Sequence, residues 1–303
     1  MTKRLGGEIL FVSWRWDSML RLMKGSRTHG LVGLAIGLGL GACLQLRLAA
    51  EPPPAGRAAA TQGRGGGFTE PSPMDFTDHQ GYVSLFDGVS LKGWDGNPKF
   101  WRVENGALVG ESTPANPSGN SYIVYRDLEA KDFTLKFEIK IEGDGGSGIQ
   151  YRSKTGLPWL ANISPTVTAN VGPVNLNWMM TGPQADFWPN RVYTGQFYSE
   201  NTPMRILAWR GQVVEGFGAT GKKLMGNIAD RTALGAVVRM NDWNQYTVIA
   251  RGGTFIHIVN GQVMAVMIDD DPASSNNQPG LFGIEIEATT KVSVRSMWVK
   301  KLN

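Results

Sequence analysis

The chain has 303 residues, a formal net charge of +4, three histidines and one cysteine. Six Lys and Arg residues against two acids precede Cys43 and leave 24 of each sign in the remainder, so the positive balance belongs to the N-terminal stretch and argues against a nucleic-acid partner. His29 lies there too; with only His79 and His257 left, a multi-histidine zinc centre is disfavoured, and a lone Cys43 leaves the rest without a disulfide or a cysteine nucleophile.

Leu31 to Leu46 form an apolar run rich in Leu and Gly behind Arg21, Lys24 and Arg27. This is the layout of a bacterial export signal, and the run is short and Gly-rich for a membrane span. A start at Met19 or Met23 gives a signal of more usual length. Leu40-Gly41-Ala42-Cys43 resembles a lipobox, in which Cys43 is lipidated at the new N-terminus. The competing readings are cleavage after Ala49-Ala50 and an uncleaved anchor. The expected location is the periplasm or cell envelope, with membrane attachment through a lipid on Cys43 as one form. Residues 1–42 are read as leader and 43–80 as a flexible tether, since Pro52-Pro53-Pro54 and Gly65-Gly66-Gly67 cannot bury a core.

Residues 81–303 read as strands almost throughout. Phe133, Leu135, Phe137, Ile139 and Ile141 alternate with Thr134, Lys136, Glu138 and Lys140, the pattern of a half-buried antiparallel strand. Tyr246 to Ala250, Phe255 to Val259 and Val263 to Ile268 are strand runs separated by Gly252-Gly253 and Asn260-Gly261, dipeptides that favour tight hairpin turns. Val292 to Leu302 supplies a terminal strand. The 39 glycines are about double the usual share of roughly 7% and are spread through turns, and no sustained 3.6-residue stripe occurs outside the leader. The pattern predicts an all-β fold, a two-sheet antiparallel sandwich. Leu157 to Met180, with three prolines, reads as an irregular loop beside a site.

Residues two apart on a strand share a face. Gln184 with Asp186, Gln150 with Arg152, Tyr198 with Glu200, and Glu285 with Glu287 are polar pairs at that spacing. Together they are expected to line one sugar-binding face, with Trp188 beside the first pair.

The order of segments resembles the 3-keto-disaccharide hydrolase domain family. The resemblance rests on Gly81 to Gly88, Leu91 to Trp94, Trp101 to Gly110, Asp132 to Leu135, Gly145 to Arg152, Gln184-Ala185-Asp186, Tyr193 to Glu200, Asp242 to Tyr246 and Asn260-Gly261. It implies a concanavalin A-like jelly roll with a concave carbohydrate face, and cleavage of glycosides already oxidised to a ketone at C3. Three residues depart from the family pattern. Gly146 stands where Asn is usual, and Glu285-Ile286-Glu287 where Gln-X-His is usual.

A C3 ketone acidifies the C2 proton, so β-elimination of the C1 substituent followed by addition of water gives net hydrolysis. That chemistry needs a base, an enolate stabiliser and an acid for the leaving oxygen. Asp186 or Glu200 is the expected base, Arg152 the stabiliser, and Glu287 the acid if a carboxylate neighbour raises its pKa. Gln150, Gln184, Tyr198 and Glu285 are expected to contact sugar hydroxyls, and Tyr151 and Trp188 to stack on a ring. Clustered carboxylates could instead hold a divalent cation as electrophile; no other cofactor is implied, and the expected partner is an oligosaccharide or glycoside. Competing structural readings are an Asp186–Arg152 ion pair, a strand-end charge at Glu200, a solvated face at Glu285 and Glu287, a cross-strand role for His257, and core positions for Trp101 and Trp243. The competing functions are a carbohydrate-binding module of the same fold and a two-carboxylate glycosidase acting on unoxidised sugar.

Overall fold

The computed structural model describes residues 69–160, 175–216, 221–269 and 271–302. Cys43, the leader and the first part of the expected tether lie outside the described residues. In chain order the strands are β1 (Val83–Ser84), β2 (Trp94–Gly96), β3 (Trp101–Glu104), β4 (Ala107–Ser112), β5 (Ser121–Ala130) and β6 (Phe133–Gly143). Then follow β7 (Ser147–Thr155), β8 (Met180–Phe187), β9 (Phe197–Glu200), β10 (Arg205–Ala208), β11 (Gln212–Gly216) and β12 (Lys223–Asn227). One short helix, α1 (Arg231–Gly235), precedes β13 (Asn244–Arg251), β14 (Thr254–Val259), β15 (Gln262–Asp269), β16 (Gly280–Ile286) and β17 (Thr290–Lys301).

These strands form two sheets. The larger runs β12-β11-β15-β14-β13-β6-β17-β4-β3, with β1 on β17; the smaller runs β10-β9-β8-β7-β16-β5-β2. Neighbours distant in sequence, such as β16 between β7 and β5, make the connections cross between sheets, as in a jelly roll. Among the described residues the expected antiparallel pairing has one exception, β11 beside β15, which is parallel.

The alternation in β6 sets the logic of the core. Phe133, Leu135, Phe137, Ile139 and Ile141 turn inward at 0–2% exposure and meet Ile149, Ala185, Phe187, Phe197, Phe282, Ile284 and Ile286 from the smaller sheet. Each such side chain contributes about 1.5–3 kcal/mol by leaving water, and Phe137, stacked on Tyr246 at 5.0 Å, is the kind of residue whose truncation costs ~3–5 kcal/mol. Asn260 and Gly261 both have positive φ, +50° and +81°, the two-residue geometry an Asn-Gly hairpin favours.

Residues 75–80, which fall within the expected tether, lie against the larger sheet. The Lys136 ammonium donates to the carbonyls of Asp75 and Asp78 at 2.9 and 2.8 Å, and His79 stacks on Trp298 at 4.2 Å. Trp101 is a core residue at 2% exposure. Trp243 is not: it is half-buried on the outer face of the larger sheet, with the Arg295 guanidinium 4.0 Å over its ring.

Candidate active site

Inward-facing Ala185, Phe187, Phe197, Ile284 and Ile286 leave the alternate residues of β8, β9 and β16 on the outer face of the smaller sheet. A cleft of about 330 Å³ opens there, bounded by Gln184, Asp186, Trp188, Tyr198, Glu200 and Glu287, with Asn120, Arg191, Tyr193, Gln196 and Arg205 around them. Its floor depends on close backbone approach. A Cβ at Gly148 would sit 2.4 Å from the Gln184 amide, and one at Gly146 would sit 2.6 Å from the Trp188 ring. Gly146 also exchanges backbone hydrogen bonds with Glu287, 3.1 Å in each direction, which places Trp188 and Glu287 side by side. The Trp188 indole N–H donates to the Asp144 carbonyl at 2.8 Å, fixing the ring at the rim.

Gln184 is the hub of the polar network. Its Nε2 donates to Asp186 Oδ1 at 2.8 Å and to Glu285 Oε2 at 2.7 Å, while its Oε1 accepts from Gln150 Nε2. The Gln150 amide N–H that meets Oε1 needs an acceptor there, and Nε2 then faces the two carboxyl groups, so this is the amide orientation that the network permits. Gln150 is held in turn by the Ser153 hydroxyl at 2.6 Å. On the other side Gln196 Nε2 donates to Asp186 Oδ2. Glu285, 1% exposed, accepts two further bonds at Oε1, from Asn120 Nδ2 at 2.8 Å and the Tyr122 hydroxyl at 2.9 Å.

Four carboxyl groups thus share one low-dielectric face, and they do not share it equally. Burial pushes Asp186 up to about 8 against the pull of its Gln196 and Gln184 bonds, with the Glu285 charge adding to the rise. Burial, then the charges of Glu285, Glu287 and Asp186, hold Glu200 well above the usual carboxylate range, despite the Asn201 backbone N–H at 3.1 Å. Burial followed by Glu285 and Asp186 does the same to Glu287. Glu285 is raised by burial too, but three donors oppose that rise. A carboxylate with three donors is the one best able to keep its charge. Glu285 is therefore the member best placed to carry negative charge, burial and neighbouring charge disfavour the ionised forms of Glu200 and Glu287, and Asp186 is pushed up to about 8.

The layer beneath explains how Asp186 is held. His257 is buried and points from β14 into the core. Its Nδ1 lies 3.1 Å from the Gln196 carbonyl and its Nε2 lies 2.8 Å from the Tyr151 hydroxyl. A carbonyl only accepts, so Nδ1 carries the proton and Nε2 accepts from Tyr151. Burial lowers the imidazole to about 4, so it is neutral at pH 7. Its contact with Gln196 fixes the residue whose side chain clamps Asp186; this is the structural, cross-strand role.

Of the residues expected from sequence, Gln184, Asp186, Trp188, Tyr198, Glu200 and Glu287 meet in the cleft. Arg152 does not reach it. The strand pairing shifts register on both sides of β7 near this residue, and Arg152 has a φ of +50°, so it leaves the alternation that put Gln150 on the outer face. Its guanidinium turns to the loops of the other sheet, donating to the carbonyls of Lys131, Gly252 and Asn276 and to Asp132 Oδ1 at 3.1 Å. It forms no ion pair with Asp186. Tyr151 is fully buried against Phe133 and Phe197 and offers no face to a sugar. Gln150 and Glu285 are enclosed behind Gln184 and position it rather than reach a ligand. Asn120, Arg191, Tyr193, Gln196 and Arg205 were not expected. Tyr193 and Gln196 lie in the segment Tyr193 to Glu200 that carried part of the resemblance, but Asn120 and Arg205 come from other strand ends and have no local signature.

The described end of the long loop does adjoin the site. Asn201, next to Glu200, accepts from the Leu160 N–H at 2.8 Å and donates to the Pro158 carbonyl at 3.1 Å; residues 161–174 of that loop lie outside the described residues. Among the described residues no group of three His, Cys, Asp or Glu side chains is arranged to hold a metal ion.

Residues 81–300 match the family described as the 3-keto-alpha-glucoside-1,2-lyase-like domain. A 3-keto-disaccharide hydrolase of Bacteroides thetaiotaomicron is 31% identical over 83 residues, which cover 24% of this chain and 28% of that protein. The match thus spans little more than a quarter of that relative. Among solved structures, the carbohydrate binding module CBM66 from Bacillus subtilis superposes with a TM-score of 0.42 at 16% identity, over 69% of this chain and 96% of that one. SCLam, a non-specific endo-beta-1,3(4)-glucanase from family GH16, does so with a TM-score of 0.40 at 13% identity, over 75% and 93%.

Proposed function

The chain belongs to the 3-keto-alpha-glucoside-1,2-lyase-like domain family, and on that premise we propose that it cleaves 3-keto-glycosides by elimination and rehydration. The observation that carries this reading is the meeting in one cleft of Asp186, pushed up to about 8 by burial, with the carboxyls of Glu287 and Glu200, which burial and neighbouring charge hold well above the usual range. A base that titrates near neutrality and an acid that keeps its proton are the two groups this elimination requires.

In the proposed reaction Asp186 removes the C2 proton, and its electron pair moves into an enolate on the C3 oxygen. The enolate then expels the C1 oxygen, which takes a proton from Glu287 or Glu200. Water adds at C1 and a proton returns to C2, giving the free 3-keto sugar. Arg205 and Arg191 are the cations that line the cleft, so the enolate-stabilising role expected of Arg152 passes to them. Trp188 offers the ring platform, and the Gln196 and Asn120 amides meet hydroxyls. As an exported protein, the chain would act in the periplasm or envelope.

The test is to incubate the purified protein with a 3-keto-disaccharide in deuterium oxide and follow the released sugars. Release with deuterium at C2, faster than exchange into the free keto sugar alone, supports elimination. Release with protium retained points to direct hydrolysis, and saturable binding without release points to a carbohydrate-binding module.

A further inference from the structure

A second pocket, about 350 Å³, lies between α1 and the turn that joins β10 to β11. Arg210, Gln212, Asn227, Asp230 and Arg231 line it. Arg210 and Arg231 clasp each other reciprocally. Arg210 Nε donates to the Arg231 carbonyl at 2.9 Å and Arg231 Nε to the Arg210 carbonyl at 3.3 Å. Among the described residues neither guanidinium has a carboxylate within ion-pair distance. Asp230 shares the pocket, but its Oδ1 accepts from the Thr232 and Ala233 N–H groups of α1.

Arg210 is only 5% exposed. Taking a guanidinium out of water without a counter-ion is costly. Burial and then the Arg231 charge hold Arg210 below the usual arginine range. Two cations that repel each other in a polar pocket form a seat for an oxyanion, which would accept from both.

This pocket is joined to the carboxylate cleft by aromatic rings. Trp188 lies 5.7 Å from Tyr193, Tyr193 lies 6.0 Å from Trp209, and the Arg231 guanidinium carbon stands 4.7 Å over Trp209. All three rings are half-buried. Half-buried aromatic surface between two polar pockets suits sugar rings, which present apolar C–H faces and polar rims.

We propose that the Arg210–Arg231 pocket binds a carboxylate or sulfate group of an acidic glycoside whose neighbouring sugar lies along Tyr193 and Trp209. The glycoside part rests on the proposed activity; the oxyanion seat does not.

The experiment is calorimetric titration of the purified protein at low ionic strength, where charge pairing is least screened. Inorganic sulfate and a glucuronate-containing disaccharide are each titrated into the unaltered protein and into Arg231→Gln, Trp209→Leu and Asp186→Asn. The half-buried Arg231 is chosen because replacing the buried Arg210 risks the fold. Both ligands are expected to saturate. Arg231→Gln is expected to weaken both roughly tenfold, and Trp209→Leu to weaken the disaccharide alone. Asp186→Asn is expected to leave sulfate affinity unchanged, so a failed catalytic reading and a failed anion site give different results. No saturation by sulfate, or equal affinity in Arg231→Gln, overturns the seat. Equal disaccharide affinity in Trp209→Leu overturns the glycoside path.

Discussion

Gly146 and Glu287 are bridge partners just before β7 and just after β16, each donating its N–H to the other's carbonyl at 3.1 Å. They are also two of the three residues, Glu285 being the other, at which the sequence is read as departing from the pattern it otherwise resembles. The pairing makes these departures one local change. Bare backbone at Gly146 admits the Trp188 ring, and the side chain beside that ring becomes a carboxyl.

Gly146→Ala tests the first half of that change. A Cβ 2.6 Å from the ring has to displace Trp188, which loses its bond to the Asp144 carbonyl. The expected outcome is a KM several-fold higher, a shifted tryptophan emission and a stability loss of about 1–3 kcal/mol. Unchanged emission and KM would remove Trp188 as the ring platform.

Asp186→Asn is expected to lower kcat/KM for a 3-keto-glycoside by about 10²–10⁴. In the unaltered protein kcat/KM should rise with pH through about 8, as the base ionises. Stability runs the opposite way. A carboxyl whose folded pKa is raised binds more protons folded than unfolded, so stability is greatest below the ordinary value near 3.8 and falls as pH rises through about 8. Melting temperatures across that window should lose part of their slope in Asp186→Asn.

Burial and the Glu285 and Asp186 charges hold Glu287 well above the usual carboxylate range, so in the acid role it is expected to supply the falling limb of a bell-shaped rate profile. Glu287→Gln is expected to lower kcat by roughly 10²-fold and to flatten that limb. A profile with an intact falling limb would move the acid role to Glu200.

Arg152 is a tie between sheets. Arg152→Met removes the guanidinium donor from three carbonyls and from Asp132, which keeps only the Gly252 N–H, a loss on the order of 3 kcal/mol in denaturant unfolding. The kcat/KM of the folded fraction should stay within about twofold. A large catalytic loss at full stability would return Arg152 to the site.

His257 gives the acid side of the stability curve. Its folded pKa is depressed to about 4 from 6.5, so its contribution is whole above 6.5 and is lost as pH falls through about 4, on the order of 3 kcal/mol in total. Replacing it with Gln should flatten unfolding free energy between those limits. Because the imidazole holds the Gln196 carbonyl, the same variant should also shift the pH midpoint assigned to Asp186.

The sequence by itself determined the sheets. Period-two alternation in residues 133–141 and the Asn260-Gly261 turn depend on neighbours along the chain, and they produced β6 and the β14–β15 hairpin as expected. The same spacing put Gln184 with Asp186, Tyr198 with Glu200, and Glu285 with Glu287 on one face. Only the tertiary structure decided which of those residues meet a ligand. The register shift at Arg152 is one irregular residue in an otherwise regular strand, invisible to a rule of two, and it sends the guanidinium to the opposite sheet. Depth is likewise a property of packing. Glu285 and Glu287 have the same spacing pattern, but Asn120 and Tyr122 at the start of β5 and Gln184 from β8 enclose the first with three donors, while the second stays at the cleft. The titration of Asp186 near neutrality follows from that enclosure, because desolvation and neighbouring charge act through space and not along the chain.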